Sequence, residues 1–277
     1  MGCLRKNWLM ISFIEEDMMV QFDRCCWTKP LKLMPIQEFF KIKDIIEYAS
    51  NIECNLIQDK GLCSQKDCSE VEPLIKDVQI NITKSCNLRC FNCYVNNHAD
   101  SYISKKLRQF CFEKIKNHNL DSLMSTGSGE PFIYYFEFIS YLKSITYNDT
   151  KVFHIFTNGL LLNENRLLEL KKISEQTGVK YNFIFSVDAV TEKTYEKVRH
   201  NDFNKLLENI EKTISIFSVD NVYCNFTIKE PNRTEALLYR PFFQEKYNIK
   251  SSHLWMNYDF LDPTGIDYQV YKTVPHS

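Results

Sequence analysis

From Val78 onward, six strand-like runs alternate along the chain with helix-like segments. The strand-like runs are VQINIT (78–83), LDSLMST (120–126), KVFHIFT (151–157), YNFIFSVD (181–188), NVYCNFTI (221–228) and SHLWMNYDF (252–260). Six β-α units in series predict parallel strands joined by right-handed crossovers. Because six units are too few for a full eight-stranded barrel, the sequence predicts an α/β fold whose sheet is either a partial (β/α)6 barrel or open.

The segments between these runs have helical periodicity. After the first strand, Ile103, Leu107, Cys111 and Ile115 fall on one face of a helix. Further helices are predicted over 136–145, 164–177, from 191, over 204–217 and over 233–246. In parallel α/β sheets the functional residues gather at the carboxyl ends of the strands, so the segments that follow each strand are the place to look for a site.

Residues 1–77 do not continue this alternation. The segment 8–22 predicts a β-hairpin that turns at 15–17, and 36–50 predicts a helix. Six of the 11 cysteines lie here, at Cys3, Cys25, Cys26, Cys54, Cys63 and Cys68. We therefore predict two domains, a small Cys-rich α+β module over 1–77 and an α/β domain over 78–277.

The composition argues against several classes of function. The formal net charge of −1 gives no reason to expect a nucleic-acid partner. No apolar run approaches the roughly 20 residues of a membrane span, and Lys6 stands where a myristoylation signal has Ser or Thr. We recognise no export signal and expect a cytoplasmic, reducing compartment, where clustered cysteines serve metal binding or catalysis more often than disulfides.

The loop after the first strand, ITKSCNLRCFNCYV (82–95), has three cysteines in the spacing C-x3-C-x2-C. One interpretation is a structural zinc site, in which His98 would join Cys86, Cys90 and Cys93. The other is a [4Fe–4S] cluster, in which three thiolates leave one iron open to an external ligand. The loop alone does not decide between the two.

Three further strand ends carry polar, glycine-containing segments. They are STGSGEPF (125–132), IFTNGLLL (155–162) and FSVDAVTEKTYEKVR (185–199). Taken singly, such segments are a turn, a helix cap or a solvated charge. Together with the cysteine loop, and in this order, they resemble the signature of the radical S-adenosylmethionine (SAM) superfamily over about 78–260.

This resemblance implies a partial parallel (β/α)6 radical SAM barrel and a reaction. Cys86, Cys90 and Cys93 would hold a [4Fe–4S] cluster whose open iron binds SAM. Cleavage of SAM by the reduced cluster then gives methionine and a 5′-deoxyadenosyl radical, with a flavodoxin or ferredoxin as the expected electron donor. The residues implied to bind SAM are Gly127, Ser128, Gly129 and Glu130 near the amino group, Asn158 in the Thr-Asn-Gly segment, Ser186 and Asp188 near the ribose, and Arg199 near the carboxylate.

Some side-chain roles stay open. The family has an aromatic residue directly before its third cysteine, near the adenine, whereas this chain has Asn92 there, with Phe91 before it and Tyr94 after the cysteine. Cys224 in the fifth strand is a candidate hydrogen-atom donor, although such a cysteine is more often a small packed side chain. Cys111 is predicted in the core and His154 as a satisfied interior residue.

The N-terminal cysteines resemble part of a SPASM or twitch module, the small auxiliary-cluster domain of many radical SAM maturases. The matching residues are Cys3, Cys25, Cys26, Cys63 and Cys68, with Cys54 spare. The family places this module after the barrel, whereas here it precedes the barrel. A second Fe–S cluster, a zinc site and cysteines without metal are therefore all open.

Three functions are compatible with these features. The SPASM-like module favours a radical SAM enzyme that modifies a peptide or protein side chain. A sugar, nucleotide or other small metabolite is an alternative substrate. A non-catalytic Fe–S or zinc protein on the same scaffold is the third interpretation, against which the SAM-contact segments argue.

Overall fold

The structure is a computed structural model that describes residues 8–14, 17–23, 32–52, 75–81, 83, 85–93, 102–126 and 129–258. Its strands are β1 (Trp8–Ile14), β2 (Met19–Asp23), β3 (Lys32–Pro35), β4 (Asp77–Asn81), β5 (Leu120–Thr126), β6 (Thr150–Thr157), β7 (Lys180–Ser186), β8 (Val222–Ile228) and β9 (Leu254–Tyr258). Its helices are α1 (Ile36–Phe39), α2 (Ile45–Ser50), α3 (Tyr102–Lys114), α4 (Tyr135–Ser144), α5 (Glu164–Thr177), α6 (Glu192–Arg199), α7 (Phe203–Phe217) and α8 (Ala236–Tyr247).

The nine described strands form one sheet in the order β3-β2-β1-β4-β5-β6-β7-β8-β9. Every neighbouring pair from β4 to β9 is parallel. Because these strands follow one another in chain order and their crossovers are right-handed, the connecting helices lie on one face of the sheet. The prediction of an α/β fold with six parallel strands in chain order is confirmed, and each of β4 to β8 is followed by helix before the next strand.

The two faces of the sheet differ in chemistry. The helix-covered face is apolar, and the rings of Phe153, Phe183 and Phe185 on it are fully buried. Strand alternation turns the residues between them, such as His154 and Asn182, towards the opposite face, which we call the open face. Half-buried strand residues such as His154 therefore lie on the open face, next to buried ones such as Asn182.

Two predicted helices differ from the observed ones. The segment 36–50 forms α1 and α2 rather than one helix, because the side chain of Asp44 accepts a hydrogen bond from the Glu47 amide (2.9 Å) and starts a new helix there. The helix predicted from residue 233 begins at Ala236, because a 3-10 turn occupies Glu230–Glu235. α5 has the predicted bounds and is capped by Asn163 and Gly178.

The predicted N-terminal hairpin is confirmed, and it extends the sheet. β1 pairs with β2 in antiparallel fashion and with β4 in parallel fashion. The ring of Phe110 on α3 lies 5.3 Å from Phe39 and 5.2 Å from Phe40, between ring centroids. The described part of 1–77 thus packs directly on the rest of the chain, while the domain division at residue 77 stays a prediction.

None of the helices that the structure describes has both the length and the apolar character needed to cross a bilayer.

Candidate functional site

The cysteine loop follows β4 at the carboxyl end of the sheet. Cys86, Cys90 and Cys93 are half-buried and form no disulfide. The Leu88 amide donates a hydrogen bond to Cys86 Sγ (3.4 Å), and Leu88 itself is buried. Burial raises the pKa of the Cys86 thiol to about 11, although the Leu88 N–H opposes the shift. A thiolate at this position therefore needs a bound metal or a nearby cation to stabilise it.

The peptide group of Phe91, inside this loop, is bonded from two directions. Its N–H donates to the carbonyl oxygen of Val198 in α6 (2.8 Å). Its carbonyl oxygen accepts from Lys229 Nζ, just after β8 (2.7 Å). The loop is therefore positioned by elements that lie far away in the chain.

Glu130 joins three strand ends. Its buried carboxylate accepts hydrogen bonds from Thr157 Oγ1 (2.8 Å) and the Asn158 amide (2.7 Å), and its own amide donates to Ser85 O (2.8 Å). Burial raises the pKa of this carboxyl to about 7, against the lowering effect of the hydrogen bonds that it accepts. Its predicted contact with the SAM amino group stays a prediction, and Gly127 and Ser128 lie outside the described residues.

Asn158 and Gly159 form the turn after β6. The Asn158 amide group donates to Asn87 Oδ1 (2.8 Å) and points its nitrogen at Cys86 Sγ at 3.9 Å. Gly159 has φ +77° and lies so close to Phe185 and Leu206 that an added Cβ would come within 2.9 Å of them. The glycine of the Thr-Asn-Gly sequence is therefore required by its backbone conformation and by packing.

Asp188 and Arg199 form an ion pair beside the cysteine loop. Arg199 Nη2 lies 2.6 Å from Asp188 Oδ2, and Arg199 Nη1 donates to Cys90 Sγ at 3.4 Å. Asp188 Oδ1 accepts from the Thr227 amide (2.6 Å). Burial alone would lower the pKa of the Arg199 guanidinium, but the negative charge of Asp188, together with that of Cys90 as a thiolate, raises it above its ordinary value, so the group stays charged.

The remaining predicted SAM contacts are less connected. Ser186 is half-buried at the end of β7, in register with Asn225. Asn92 is exposed and has φ +50°, and Tyr94 lies outside the described residues. The adenine contact in this segment stays a prediction.

Cys224 is not brought together with the cysteine loop. It lies on the helix-covered face, in register with Phe185, and is fully buried in the apolar core. Burial raises the pKa of its thiol well above the usual range. Cys111 is likewise buried, on α3. These positions support the packing interpretation of both cysteines over a role in hydrogen-atom transfer.

The remaining predicted residues are His154 and the N-terminal cysteines. His154 is half-buried on the open face, and its Nδ1 has no hydrogen-bond partner among the described residues, so it is interior but not satisfied as predicted. The N-terminal candidates Cys3, Cys25, Cys26, Cys63 and Cys68 lie outside the described residues.

Sequence reasoning missed Lys229 and Asn232. The buried amide of Asn232 donates to the carbonyl oxygens of Asp188 and Thr227, both at 2.9 Å, and holds the ends of β7 and β8 together. The signal was present in the segment KEPN (229–232), which is the polar segment after β8.

Comparison with known proteins identifies the family. A model of the radical SAM superfamily matches residues 80–235, which is more than half of the chain. This chain therefore belongs to the radical SAM superfamily, and the prediction that it is an enzyme is confirmed at that level. Membership implies a [4Fe–4S] cluster and SAM as cofactors.

Two curated relatives are GTP 3′,8-cyclases of Clostridium botulinum, from strain ATCC 19397 (Type A) and strain Langeland (Type F). Each is 28% identical to this chain over 152 residues, which is 51% of this chain and 44% of the cyclase. The matched part thus spans less than half the length of these relatives.

Two solved structures are similar in part. Streptococcus suis SuiB bound to S-adenosylmethionine matches with a TM-score of 0.48 at 16% identity, over 61% of this chain and 38% of SuiB. The protein anSMEcpe with bound AdoMet and Cp18Cys peptide matches with a TM-score of 0.48 at 16% identity, over 66% of this chain and 50% of that protein.

The residues at the strand ends fit the implied cofactors. Three unpaired thiols on one loop match three irons, and N–H groups of Leu88 and Arg199 donate to two of the sulfurs. Arg199 Nε is buried without a hydrogen-bond partner among the described residues, which leaves a donor for an anionic group. Within the described ranges no three His, Cys, Asp or Glu side chains are grouped closely enough to hold a single metal ion.

Proposed function

We propose that this chain is a radical SAM enzyme that cleaves SAM at a [4Fe–4S] cluster bound by Cys86, Cys90 and Cys93 and modifies a peptide or protein side chain. When bound, the cluster supplies one electron to SAM, and cleavage gives methionine and a 5′-deoxyadenosyl radical that abstracts hydrogen from the substrate. The chain itself binds and orients these groups and excludes water from them.

The observation that carries the proposal is the set of bonds between the cysteine loop and the other strand ends. Four residues of the loop form hydrogen bonds with four different segments. Ser85 bonds with Glu130 after β5, and Asn87 bonds with Asn158 after β6. Cys90 bonds with Arg199 at the end of α6, and Phe91 bonds with Lys229 after β8. Such links support a role in which a cluster and SAM are held in one fixed geometry.

The SAM contacts belong to this proposal. Arg199 Nε is the donor proposed for the SAM carboxylate, since the other two guanidinium nitrogens already donate within the protein. Each carboxylate oxygen of Asp188 accepts one protein donor and keeps a second acceptor position for a ribose hydroxyl, with Ser186 beside it. Gly129 and Glu130 border the proposed amino-group site.

Anaerobic reconstitution tests the proposal. The wild-type chain should take up at least about four irons with matching sulfide. Given a reductant such as dithionite or a flavodoxin, it should release 5′-deoxyadenosine and methionine from SAM. Alanine variants of Cys86, Cys90 and Cys93 should lose that cluster, whereas C111A, which changes a buried cysteine on α3, should keep it.

Two results would contradict the proposal in different ways. Stoichiometric zinc without sulfide would favour the structural zinc site. An intact cluster that neither binds nor cleaves SAM would favour the non-catalytic interpretation.

The open face supports an uncharged substrate group. Phe156, Tyr223 and Trp255 are half-buried there, with ring centroids 6.1 Å apart for Phe156 and Trp255 and 5.5 Å apart for Tyr223 and Trp255. Among the described open-face residues of β4–β9, Lys180 is the only Lys or Arg, and it lies at the amino end of β7. A face of rings and amides, on which the Lys180 cation and the Asp77 carboxylate both lie at the amino ends of their strands, suits a peptide side chain better than a polyphosphate.

A nucleotide or another small metabolite is the second candidate. The observation that favours it is the 28% identity to the GTP 3′,8-cyclases. Deuterium transfer into 5′-deoxyadenosine from labelled peptides, compared with labelled GTP and other metabolites, distinguishes the two substrate classes.

The Cys-rich segment over 1–77 carries a separate proposal. We infer a second metal site among Cys3, Cys25, Cys26, Cys63 and Cys68, on the strength of their clustering in the sequence and their resemblance to a SPASM or twitch module. The triple variant C86A/C90A/C93A should then retain iron and sulfide. Loss of all metal from this variant would leave a module without a cluster.

A further inference from the structure

Arg199 is connected to the cysteine loop at two consecutive positions. Its Nη1 donates to Cys90 Sγ (3.4 Å), and the carbonyl oxygen of the preceding residue, Val198, accepts from the amide of Phe91 (2.8 Å). The pair Val198–Arg199 at the end of α6 thus contacts the pair Cys90–Phe91. This two-point contact fixes the distance between a guanidinium and one sulfur of the loop.

Asp188 supplies the counter-charge of the Arg199 guanidinium. Asp188 lies 2.6 Å from Arg199 Nη2, and its side chain is 1% exposed, against 13% for Arg199. Asp188 is itself fixed by the Thr227 amide and, through its carbonyl oxygen, by Asn232. The Arg199 cation therefore contacts Cys90 directly, and the Asp188 carboxylate contacts Arg199.

The groups that surround an Fe–S cluster affect how readily the cluster accepts an electron. Hydrogen bonds to cluster sulfurs, the net charge around the cluster and its exposure set the reduction potential of an Fe–S cluster. An N–H donor or a cation near a cluster thiolate stabilises the reduced, more negative state, and an uncompensated carboxylate destabilises it. Both kinds of group are present here in one ion pair.

We propose that the Arg199–Asp188 pair sets the reduction potential of the cluster at Cys86, Cys90 and Cys93. Arg199 raises the potential through its hydrogen bond to Cys90 Sγ, and Asp188 limits that rise. Both are positioning residues for the electron transfer, in addition to any contact with SAM. The inference rests on the proposed function, because it requires a cluster on these cysteines.

The redox step is a single electron transfer. One electron passes from an external low-potential donor, dithionite in the test, to the cluster, whose charge becomes more negative by one. No bond is formed or broken and no proton is transferred in this step.

The test is a redox titration of the reconstituted full chain without SAM, followed by electron paramagnetic resonance. In R199Q the ratio of reduced to oxidised cluster at a fixed potential should fall at least tenfold, equivalent to about 59 mV for one electron. In D188N the ratio should rise, because the cation near Cys90 loses its counter-charge. The double variant R199Q/D188N should lie between the two, and R199K between wild type and R199Q.

The control is K151Q, which removes one positive charge from the Lys151–Asp121 pair (2.5 Å) at the opposite end of the sheet. Its potential should equal that of the wild type. Shifts of the same sign in R199Q and D188N, or shifts no larger than that of K151Q, would overturn the inference, because loosened packing does not give opposite signs. If R199Q does not assemble a cluster, D188N and R199K still test the opposite signs.

Failure of the inference is distinguishable from failure of the proposed function. If the wild-type chain assembles no cluster, the proposed function fails and no potential exists to measure. If the cluster assembles and the potentials do not separate as stated, only the inference fails.

Discussion

Gly159, next to the candidate site, is constrained by its backbone conformation and by the side chains packed against it. Its φ of +77° disfavours any side chain, and a Cβ would come within 2.7 Å of Leu206 Cδ1 and 2.8 Å of Phe185 Cδ1. Its carbonyl oxygen also accepts a hydrogen bond from the buried amide of Asn209 (2.8 Å). The turn that presents Asn158 to the cysteine loop therefore depends on the absence of a side chain one position later.

We predict that G159A lowers the free energy of unfolding by about 2–4 kcal/mol, combining backbone strain with overpacking. G178A is a matched control, because Gly178 has nearly the same φ (+73°) but only one contact, Tyr147 Cβ at 3.4 Å. Its loss should be about 1 kcal/mol. Thermal unfolding of the two variants measures the difference, and equal losses would show that packing at Gly159 is unimportant.

His154 gives a pH dependence of stability. Burial, and then the positive charge of Lys180, lowers the pKa of its imidazole from 6.5 to about 4. The groups around it on neighbouring strands, Met124, Asn182 and the Tyr223 ring, supply no counter-charge. Protons therefore bind preferentially to the unfolded chain between these two values.

The consequence is that stability contributed at His154 is complete above pH 6.5 and is lost as the pH falls towards 4. We expect the loss to be on the order of 1–3 kcal/mol, given the size of the shift and the partial exposure of the ring. In H154Q this component of the acid sensitivity should disappear. Unfolding midpoints of both proteins from pH 7.5 to 4 measure it, and parallel curves would contradict the assignment.

At the scale of elements, the cysteine loop depends on other segments for its position. It has no regular structure among its described residues, and its position is fixed by bonds to α6 and to the segment after β8. A loop held in this way should bind its cofactor less firmly when one of those bonds is removed, even if the sheet is unchanged.

Lys229 is the residue with which to test this dependence. K229M keeps the length of the side chain but removes the donor to Phe91 O, a charge-assisted bond that contributes on the order of 1.5–3 kcal/mol. We predict that a chelator removes iron from reconstituted K229M roughly tenfold faster, or more, than from wild type. K229R should restore part of the protection.

K250M serves as the control for this experiment. Lys250 pairs with Asp220 at 2.7 Å and is well exposed, near the amino end of β8. Iron loss from this variant should match the wild type. Equal rates for K229M and K250M would show that the Phe91 contact does not hold the loop.

At the scale of the whole molecule, the N-terminal hairpin and helices share the core of the larger domain. Phe22 and Phe39 are fully buried, and their ring centroids are 5.6 Å apart. Phe39 also meets Phe110 on α3, and β1 supplies the parallel neighbour of β4. These contacts imply that the described part of 1–77 unfolds together with the (β/α)6 sheet.

We predict that F39A lowers the unfolding midpoint of the whole chain, with a loss of about 3–5 kcal/mol from the buried ring. The transition should stay single and should coincide with loss of the cluster signal. F136A, which truncates a ring that is 87% exposed, should have little effect. A second, earlier transition that leaves the cluster signal unchanged would show instead that the N-terminal module is an independent domain.

Much of the fold was readable from the chain because it depends on local periodicity. The strands β4 to β9 with the helices between them, the bounds of α5 and the hairpin at 8–22 each follow from patterns within a few residues of one another. The cysteine loop and the three polar segments after the strands were also readable, because parallel order brings successive strand ends to one edge. Family membership could be inferred because the motifs follow one another in the order typical of the radical SAM superfamily.

What only the tertiary structure decided is which of these groups meet. The parallel pairing of β1 with β4 joins segments about 70 residues apart, and no local pattern specifies it. The bonds of Arg199 to Cys90 and of Lys229 to Phe91 likewise join distant parts of the chain. The sequence by itself determined the elements and the chemistry that each strand end carries, because those depend on neighbouring residues. The partners of the charged side chains depended on packing across the sheet, because charges and hydrogen bonds act through space.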